Sequence, residues 1–321
     1  MTRILITAGV CAVLTGAIGW FLLPVLRALK AGQSILEIGP IWHNYKSGTP
    51  MMGGLMFILG AIFCLLGNLA TMVDYTVFFV LGLSLCFGLI GFLDDFCKLK
   101  FKRNLGLTSM QKAMLQLAVS ALYLYLLYKQ GAMSCDLFIP FANISIPVHP
   151  LVYIFFAMFV MVGCVNAVNL TDGIDGLSSS VTIPVMVFFA AVAITKERFD
   201  LALLPACLTG GLVAYLFYNW HPAKVFMGDT GSLFLGGVVC ALAFALDMPL
   251  ILILVGLVYI VETLSVILQV GYFKITHGKR IFKMAPIHHH FEMCGWKEEK
   301  IVLIFTAVSV AMCILAWFGV R

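Results

Sequence analysis

The residues able to do chemistry fall into a few short runs. In Gly-Phe-Leu-Asp94-Asp95-Phe-Cys-Lys98, two adjacent carboxylates and a lysine end an apolar stretch. Carboxylates at membrane depth are costly enough to be functional by default. Neighbours on a helix diverge by about 100°, so the pair is not expected to grip one ion as a symmetric clamp. Asp94 and Lys98, four apart, share a face. The bland alternative is an interfacial stop carrying a surface ion pair. An aspartate-rich prenyl-diphosphate motif would want a third Asp at position 98, where this chain has Lys.

A second run, Asn166-Ala-Val-Asn169-Leu-Thr-Asp172-Gly-Ile-Asp175-Gly-Leu, repeats a polar residue every third position. That spacing makes a polar stripe which leaves the bilayer as it turns into a Gly-rich loop; a capped helix end with Asp and Asn in turn roles is the alternative. Carboxylates beside amides suit hydrated Mg2+ or sugar hydroxyls better than a soft metal. The third run, Tyr218-Asn219-Trp-His221-Pro-Ala-Lys224-Val-Phe226-Met-Gly228-Asp229-Thr230-Gly231-Ser232, sets a carboxylate between glycines just before an apolar helix. Amides at a helix N-terminus favour anions, and Asp229 can place a divalent ion against them. Phe226 offers a flat face for a base, or serves as an interfacial anchor. Neither a Walker A sequence nor a strand-borne G-x-G-x-x-G is present, so nucleotide recognition must be built another way.

The fourth run is basic and ends in three histidines: Lys279-Arg280-Ile-Phe-Lys283-Met-Ala-Pro286-Ile-His288-His289-His290-Phe-Glu292. Consecutive side chains point apart and no spaced Cys or His completes a zinc set. Histidines beside lysines and arginine suit a polyanion such as pyrophosphate, while a juxtamembrane patch for anionic lipid is the competing reading. Glu262, inside an apolar run, is read as a bundle-facing polar contact.

The elements that must position these runs are membrane helices. Of 321 residues, 62% are hydrophobic and 11% charged, with a mean hydropathy of +1.05. Soluble domains carry about 25% charged residues, so an ordinary cytosolic enzyme is excluded. Apolar runs near 20 residues recur along the chain, as a bilayer core of about 30 Å demands, and alternating barrel strands are not seen. Ten spans are expected near 4–26, 53–70, 75–93, 111–128, 150–170, 177–194, 200–218, 232–246, 249–273 and 301–320. The fold class is therefore all-α and polytopic, one domain over 1–321. With ten spans, the face carrying loops 27–52, 94–110, 171–176, 219–231 and 274–300, with Lys112 at its edge, holds 15 of the 20 Lys and Arg residues. By the positive-inside rule that face is cytoplasmic and both termini lie outside. The first run reads as a retained helix and not a signal peptide. Seven of ten cysteines fall in apolar runs without any C-x-x-C pair, so no disulfide framework is expected. The outer loop 129–149 forms either a small hairpin or a plain connection. The long ninth span, with Pro249 and Gly256, is a candidate bent wall for a lipid tail.

Taken in order, the Lys46-Ser-Gly-Thr49-Pro-Met-Met-Gly-Gly loop, the Asp94-Asp95 pair, the Asn166 to Leu177 segment, Gly228-Asp229-Thr-Gly-Ser and Ala285-Pro286-Ile-His288-His289-His290-Phe-Glu292 resemble the polyprenyl-phosphate N-acetylhexosamine-1-phosphate transferases over the whole chain. The histidine string points to the branch that uses UDP-MurNAc-pentapeptide. The resemblance implies an enzyme of the bacterial cytoplasmic membrane that passes phospho-MurNAc-pentapeptide to undecaprenyl phosphate with Mg2+, giving lipid I and UMP for peptidoglycan. It also implies a homodimer, contact with membrane lipid and no nucleic-acid partner. By position, it implies that Asp229 holds Mg2+ with Asn169 close by, and that Asp94, Asp95, Asp229 and His288 form the catalytic centre. Lys46, Thr49, Asn169, Asp172, Asp175, Asn219 and Phe226 would surround the donor, with His288, His289 and His290 on the pyrophosphate side. Lys98 and Lys112 are placed to meet phosphates. A sister transferase using UDP-GlcNAc is the nearest rival. A transporter is the distant one, and it would instead carry ionisable residues near span centres in symmetric halves.

Overall fold

The computed structural model describes residues 1–29, 48–101, 106–129 and 134–321. In chain order the helices are α1 (Thr2–Ala28), α2 (Leu55–Asn68), α3 (Thr76–Phe101), α4 (Ser109–Lys129), α5 (Pro150–Thr171), α6 (Leu177–Thr195), α7 (Leu203–Asn219), α8 (Gly228–Ala245), α9 (Leu252–Val255), α10 (Leu257–Ile275), α11 (Ile287–Met293) and α12 (Glu298–Gly319). Among the described residues eight helices are long and apolar enough to cross a membrane: α1, α3, α4, α5, α6, α8, α10 and α12. The chain is thus a mostly helical, multi-pass membrane protein. Helices also occupy the stretches 53–70 and 200–218, but α2 and α7, at 14 and 17 residues, are shorter.

The ninth stretch is interrupted. A 3-10 turn at Pro249–Ile251 leads into the single turn of α9, and the regular helix resumes only after Gly256. The second half of α10 exposes Ile267, Leu268, Val270, Phe273 and Ile275, an apolar surface suited to lipid. One loop adds two short strands to the helices, the first of the two forms expected for it. Loop 129–149 contains an antiparallel hairpin, β1 (Asp136–Ile139) with β2 (Ile144–Pro147), in the register Asp136 opposite Pro147. Two strands alone are marginal, and this pair is tied to the end of α12: the Phe141 amide donates to Gly319 O (2.9 Å) and Asn143 Nδ2 to Arg321 O (3.0 Å).

At the centre stands α8, buried along nearly its whole length. Its small residues explain the close packing. A Cβ on Gly236 would come within 2.6 Å of the Val165 backbone in α5, and one on Gly237 within 2.9 Å of the Ser84 Cα in α3. The helix N-terminus, carrying Asp229, is thereby fixed between α3 and α5.

A polar clasp closes the opposite end of the bundle. Arg3 Nη1 lies 2.9 Å from Asp200 Oδ1, and Asp200 Oδ2 accepts from the Val73 and Asp74 amides. Arg198 Nε lies 2.7 Å from Asp74 Oδ2, while Asp74 Oδ1 caps α3 by accepting from the Thr76 amide and hydroxyl. Burial pushes both carboxyls up, but the amides of Asp74 and Val73 with Arg3 hold Asp200 below its ordinary range, and Thr76 with Arg198 does the same for Asp74. Depressed folded values mean that the stabilisation is complete above the unfolded carboxylate pKa of about 3.9. It is lost as pH falls through the folded values. The clasp's contribution to the unfolding temperature in detergent, read as the difference between wild type and Asp200→Asn, is expected to be flat from pH 7 to about 5 and to shrink below about 4. Asp200→Asn should lower that temperature at pH 7 and blunt the acid drop; an unchanged profile in that variant would show that the clasp contributes nothing.

Candidate active site

Three helix ends converge on the expected face. Asp94 and Asp95 lie near the end of α3, Lys112 near the start of α4, and Asp229 in the first turn of α8. Lys98 Nζ sits 2.6 Å from Asp94 Oδ2, 3.3 Å from Asp229 Oδ2 and 3.7 Å from Asp95 Oδ1. Lys112 Nζ also contacts Asp229 Oδ2. The two lysines expected to meet phosphates therefore meet each other's partner, Asp229.

The adjacent aspartates divide their work. Asp95 is fully buried and serves the N-terminus of α8: Oδ2 accepts from the Thr230 amide (2.9 Å) and hydroxyl (2.7 Å), and Oδ1 from the Asp229 amide (3.2 Å). Asp94 accepts from the Leu107 amide (2.8 Å) and pairs with Lys98. A third carboxylate joins the pair. One oxygen from each of Asp94, Asp95 and Asp229 lies within 4.8 Å of the others. Divergent Cα–Cβ directions still permit this because the third carboxylate arrives from a facing helix.

Two glycines make that approach possible. Gly228 has φ +73°, and a Cβ there would come within 2.5 Å of Asp95 Oδ2. On α3, a Cβ at Gly91 would lie 2.0 Å from the Asp229 carbonyl oxygen. Gly91→Ala is expected to push α8 away, costing about 1–3 kcal/mol of stability as overpacking and at least tenfold in activity. Thermal unfolding and turnover measured on the same preparation check it, and wild-type values in both would sink the packing argument.

The Asn-Asp stripe borders this centre. Asn169 Oδ1 accepts from Ser232 Oγ (2.8 Å), one turn along α8 from Gly228. Burial, then the charges of Asp229, Asp95 and Asp175, push the Asp172 carboxyl well above the carboxylate range. Asp175 and Asn219 are buried and join loops. Asp175 Oδ2 lies 3.1 Å from His221 Nδ1 and accepts from the Ala223 amide, while Glu298 Oε2 accepts from the Asp175 amide. Asn219 accepts from the Gly176 amide and donates to Val225 O. His221 and Glu298 were not singled out from sequence; their relation to Asp175 spans 46 and 123 residues. Half-buried Phe226 is paired through its backbone with Pro50 and Gly53 (both 2.8 Å), which brings Thr49 to the same loop. Lys46 lies outside the described residues.

The three histidines take three different partners. His288 Nδ1 lies 3.0 Å from Glu262 Oε2, His289 Nδ1 contacts Glu292 Oε2, and His290 Nδ1 accepts from the Lys283 amide (3.1 Å). The basic stretch before them folds back along α10, where Gln269 accepts from the Ile281 and Phe282 amides and donates to Phe282 O. The stretch after α10 is thus a limb that folds back along that helix as far as Glu262.

A centre of three carboxylates and two lysines narrows the possibilities, and comparison with known proteins decides the family. The profile of glycosyl transferase family 4 matches residues 77–247. The sequence is 47% identical to a phospho-N-acetylmuramoyl-pentapeptide-transferase of Clostridium acetobutylicum over 94% of each chain. The chain belongs to glycosyl transferase family 4. Within that family it is also 46% identical to the transferase of that name from Clostridium perfringens over 98% of each chain, and 44% identical to the one from Listeria welshimeri over 92% of this chain and 91% of that one. The matched family segment runs from α3 to α8 and holds Asp94, Asp95, Lys98, Lys112, Asn169, Asp172 and Asp229. Family 4 chemistry, the transfer of a phosphosugar, is what a carboxylate and lysine centre at a membrane surface can support.

Proposed function

We propose that this chain transfers phospho-N-acetylmuramoyl-pentapeptide from UDP-MurNAc-pentapeptide to undecaprenyl phosphate, forming lipid I and UMP in peptidoglycan synthesis. The observation that carries the reading is the meeting of Asp94, Asp95 and Asp229 with Lys98 and Lys112 at the buried start of α8, in a chain whose named relatives match it nearly end to end. The donor is a water-soluble anion and the acceptor a membrane-bound one. Both must be held where cationic and anionic side chains alternate.

The donor set fits Mg2+. Three carboxylate oxygens lie within 4.8 Å, two lysines oppose them among the described residues, and Asp172 adds a further carboxyl beside the cluster. Hard oxygen ligands are what this ion takes. Asp229 is the ligand we propose, with Asp94 and Asp95 beside it and Asn169 on the α5 side. When bound, the ion neutralises charge on the diphosphate and so lowers the cost of building negative charge in transfer. Lys98 and Lys112, beside Asp229, would be the groups to pair with phosphate oxygens. Asp95 keeps the first turn of α8 in position. The acceptor phosphate monoester has a second pKa near 6 and is mostly dianionic at pH 7, so a base such as Asp94 adds little to its attack. We therefore favour direct attack over an aspartyl-phosphate intermediate; a trapped phosphosugar adduct on the enzyme in the absence of lipid acceptor would overturn this. One diphosphate linkage replaces another, so the protein's task is positioning and charge neutralisation.

The accompanying topology is ten spans in one domain, α2 and α7 included, with both termini outside the bacterial cytoplasmic membrane and the site on the cytoplasmic face. A homodimer is the oligomer we expect. The exposed apolar half of α10 beyond the Gly256 break is the wall we assign to the lipid tail. The deciding experiment follows UMP release by purified protein with undecaprenyl phosphate and Mg2+. Lipid-dependent release from UDP-MurNAc-pentapeptide alone supports the assignment. Release from UDP-GlcNAc alone moves the chain to the sister branch, and silence from folded protein with either donor defeats the transferase reading.

A further inference from the structure

Glu262 is a charged residue that the reaction outlined above leaves unused. It lies in α10, its partner His288 opens α11, and both side chains are fully buried. Two atoms of the pair, Glu262 Oε1 and His288 Nε2, have no hydrogen-bond partner among the described residues. A carboxylate at this depth is expensive, and a bare oxygen adds to the cost. A tie between the returning limb and α10 needs no charge, because Gln269 already makes one with a neutral amide. The acid therefore needs another explanation, and its effect on the ring supplies one. Where Glu262 Oε2 accepts in this contact, the proton is carried by His288 Nδ1. The second ring nitrogen is then the one left for a ligand. Nε2 rests against Gly173, where a Cβ would approach within 2.1 Å. Gly173 is exposed and follows Asp172, on the face that carries the three-carboxylate centre.

We propose that Glu262 is a positioning residue: it fixes the orientation and tautomer of His288 so that Nε2 is presented, at the Asp172–Gly173 turn, to the diphosphate of the donor. Donation to a phosphate oxygen from Nε2 while Nδ1 donates to Glu262 uses both ring N–H groups, with Glu262 as the counter-charge. The proposal rests on the transferase reading, and it concerns one residue which that reading does not require.

Two measurements test it. Histidine-selective 15N labelling of the full chain in detergent, with His288→Gln to identify the signals, reads the tautomer without any turnover. A proton on Nδ1 in the unliganded wild type, with that preference lost in Glu262→Gln, is the expected result; a bare Nδ1 in the wild type overturns the proposal. In turnover with UDP-MurNAc-pentapeptide, Glu262→Gln should lower kcat by about 10–100-fold, the range for residues that orient a functional histidine, with KM for the donor little changed and partial recovery in Glu262→Asp. Glu262→Gln combined with His288→Gln should be no worse than His288→Gln alone, because the first residue acts through the second. Losses that multiply would assign Glu262 a separate role and refute the proposal. Failure of the donor assay in the wild type would count against the transferase reading and leave the tautomer result standing.

Discussion

Asp229→Asn is expected to reduce UMP release by about a thousandfold or more, equivalent to ~4 kcal/mol of transition-state stabilisation. The side chain is the single point at which Lys98 and Lys112 meet, and it supplies one of the three oxygens that converge within 4.8 Å. Asparagine keeps the shape and leaves the backbone amide free to donate to Asp95, so α8 should stay in place. What disappears is the charge. Both lysines then lose their shared counter-ion, and the remaining Asp94 and Asp95 are no longer an excess of acid over base at that point. The consequence for the metal can be read without turnover. Mg2+ should raise the unfolding temperature of the wild type, since a ligand that binds only the folded state stabilises it by mass action. The shift should vanish in Asp229→Asn. Activity within tenfold of wild type, or a persisting Mg2+ shift, would remove Asp229 from the centre of the mechanism.

The legible and illegible parts of this site differ in a physical way. Asp94 and Lys98 are four apart on one helix, and their contact follows from helical spacing alone. The polar stripe ending in Asp172 and the glycine-flanked Asp229 were also readable, because both mark the point where an apolar helix meets water. Helix positions were readable from apolar runs, yet hydropathy does not count turns: α2 and α7 are shorter than the other long helices, and Gly256 divides the ninth run. The hidden features all depend on long-range pairing. Asp95 reaches Thr230 across 135 residues, His221 reaches Asp175 across 46, and His288 reaches Glu262 across 26. No local period announces such partners. The histidine run illustrates this well: three identical neighbours suggest one shared task, and their rings go to Glu262, Glu292 and the Lys283 amide instead. The amide-rich side chain of Gln269 gave no signal either, although it holds the returning limb at Ile281 and Phe282.

The adjacent aspartates offer the sharper test, because sequence treats them alike and the structure does not. The hydrogen bonds of Asp95 all serve α8, its two oxygens accepting from the Asp229 amide and from the Thr230 amide and hydroxyl, while Lys98 stands farther off at 3.7 Å. Asp95→Ala should therefore act on α8 first and on chemistry second. Leaving buried donors unpaired costs about 1–3 kcal/mol, and helix caps alone cost up to about 2, so the unfolding temperature should fall markedly with or without Mg2+. Activity should fall by about a hundredfold or more, since a displaced Asp229 no longer meets both lysines. Thr230→Val separates the two effects. It removes one hydroxyl from Oδ2 and leaves the amide bonds, so it should lose part of the stability and a few-fold of the activity, with Mg2+ stabilisation retained. Asp94→Asn should do the reverse, sparing stability while weakening Mg2+ stabilisation and turnover together, because its bonds run to Lys98 and a loop amide and not to the start of α8. If Asp95→Ala left the unfolding temperature untouched, or if Thr230→Val were as damaging as Asp95→Ala, the division of labour between the two aspartates would be wrong. A graded series, with Thr230→Val between wild type and Asp95→Ala in stability, would instead tie the position of Asp229, the ligand proposed for Mg2+, to the helix cap that Asp95 supplies.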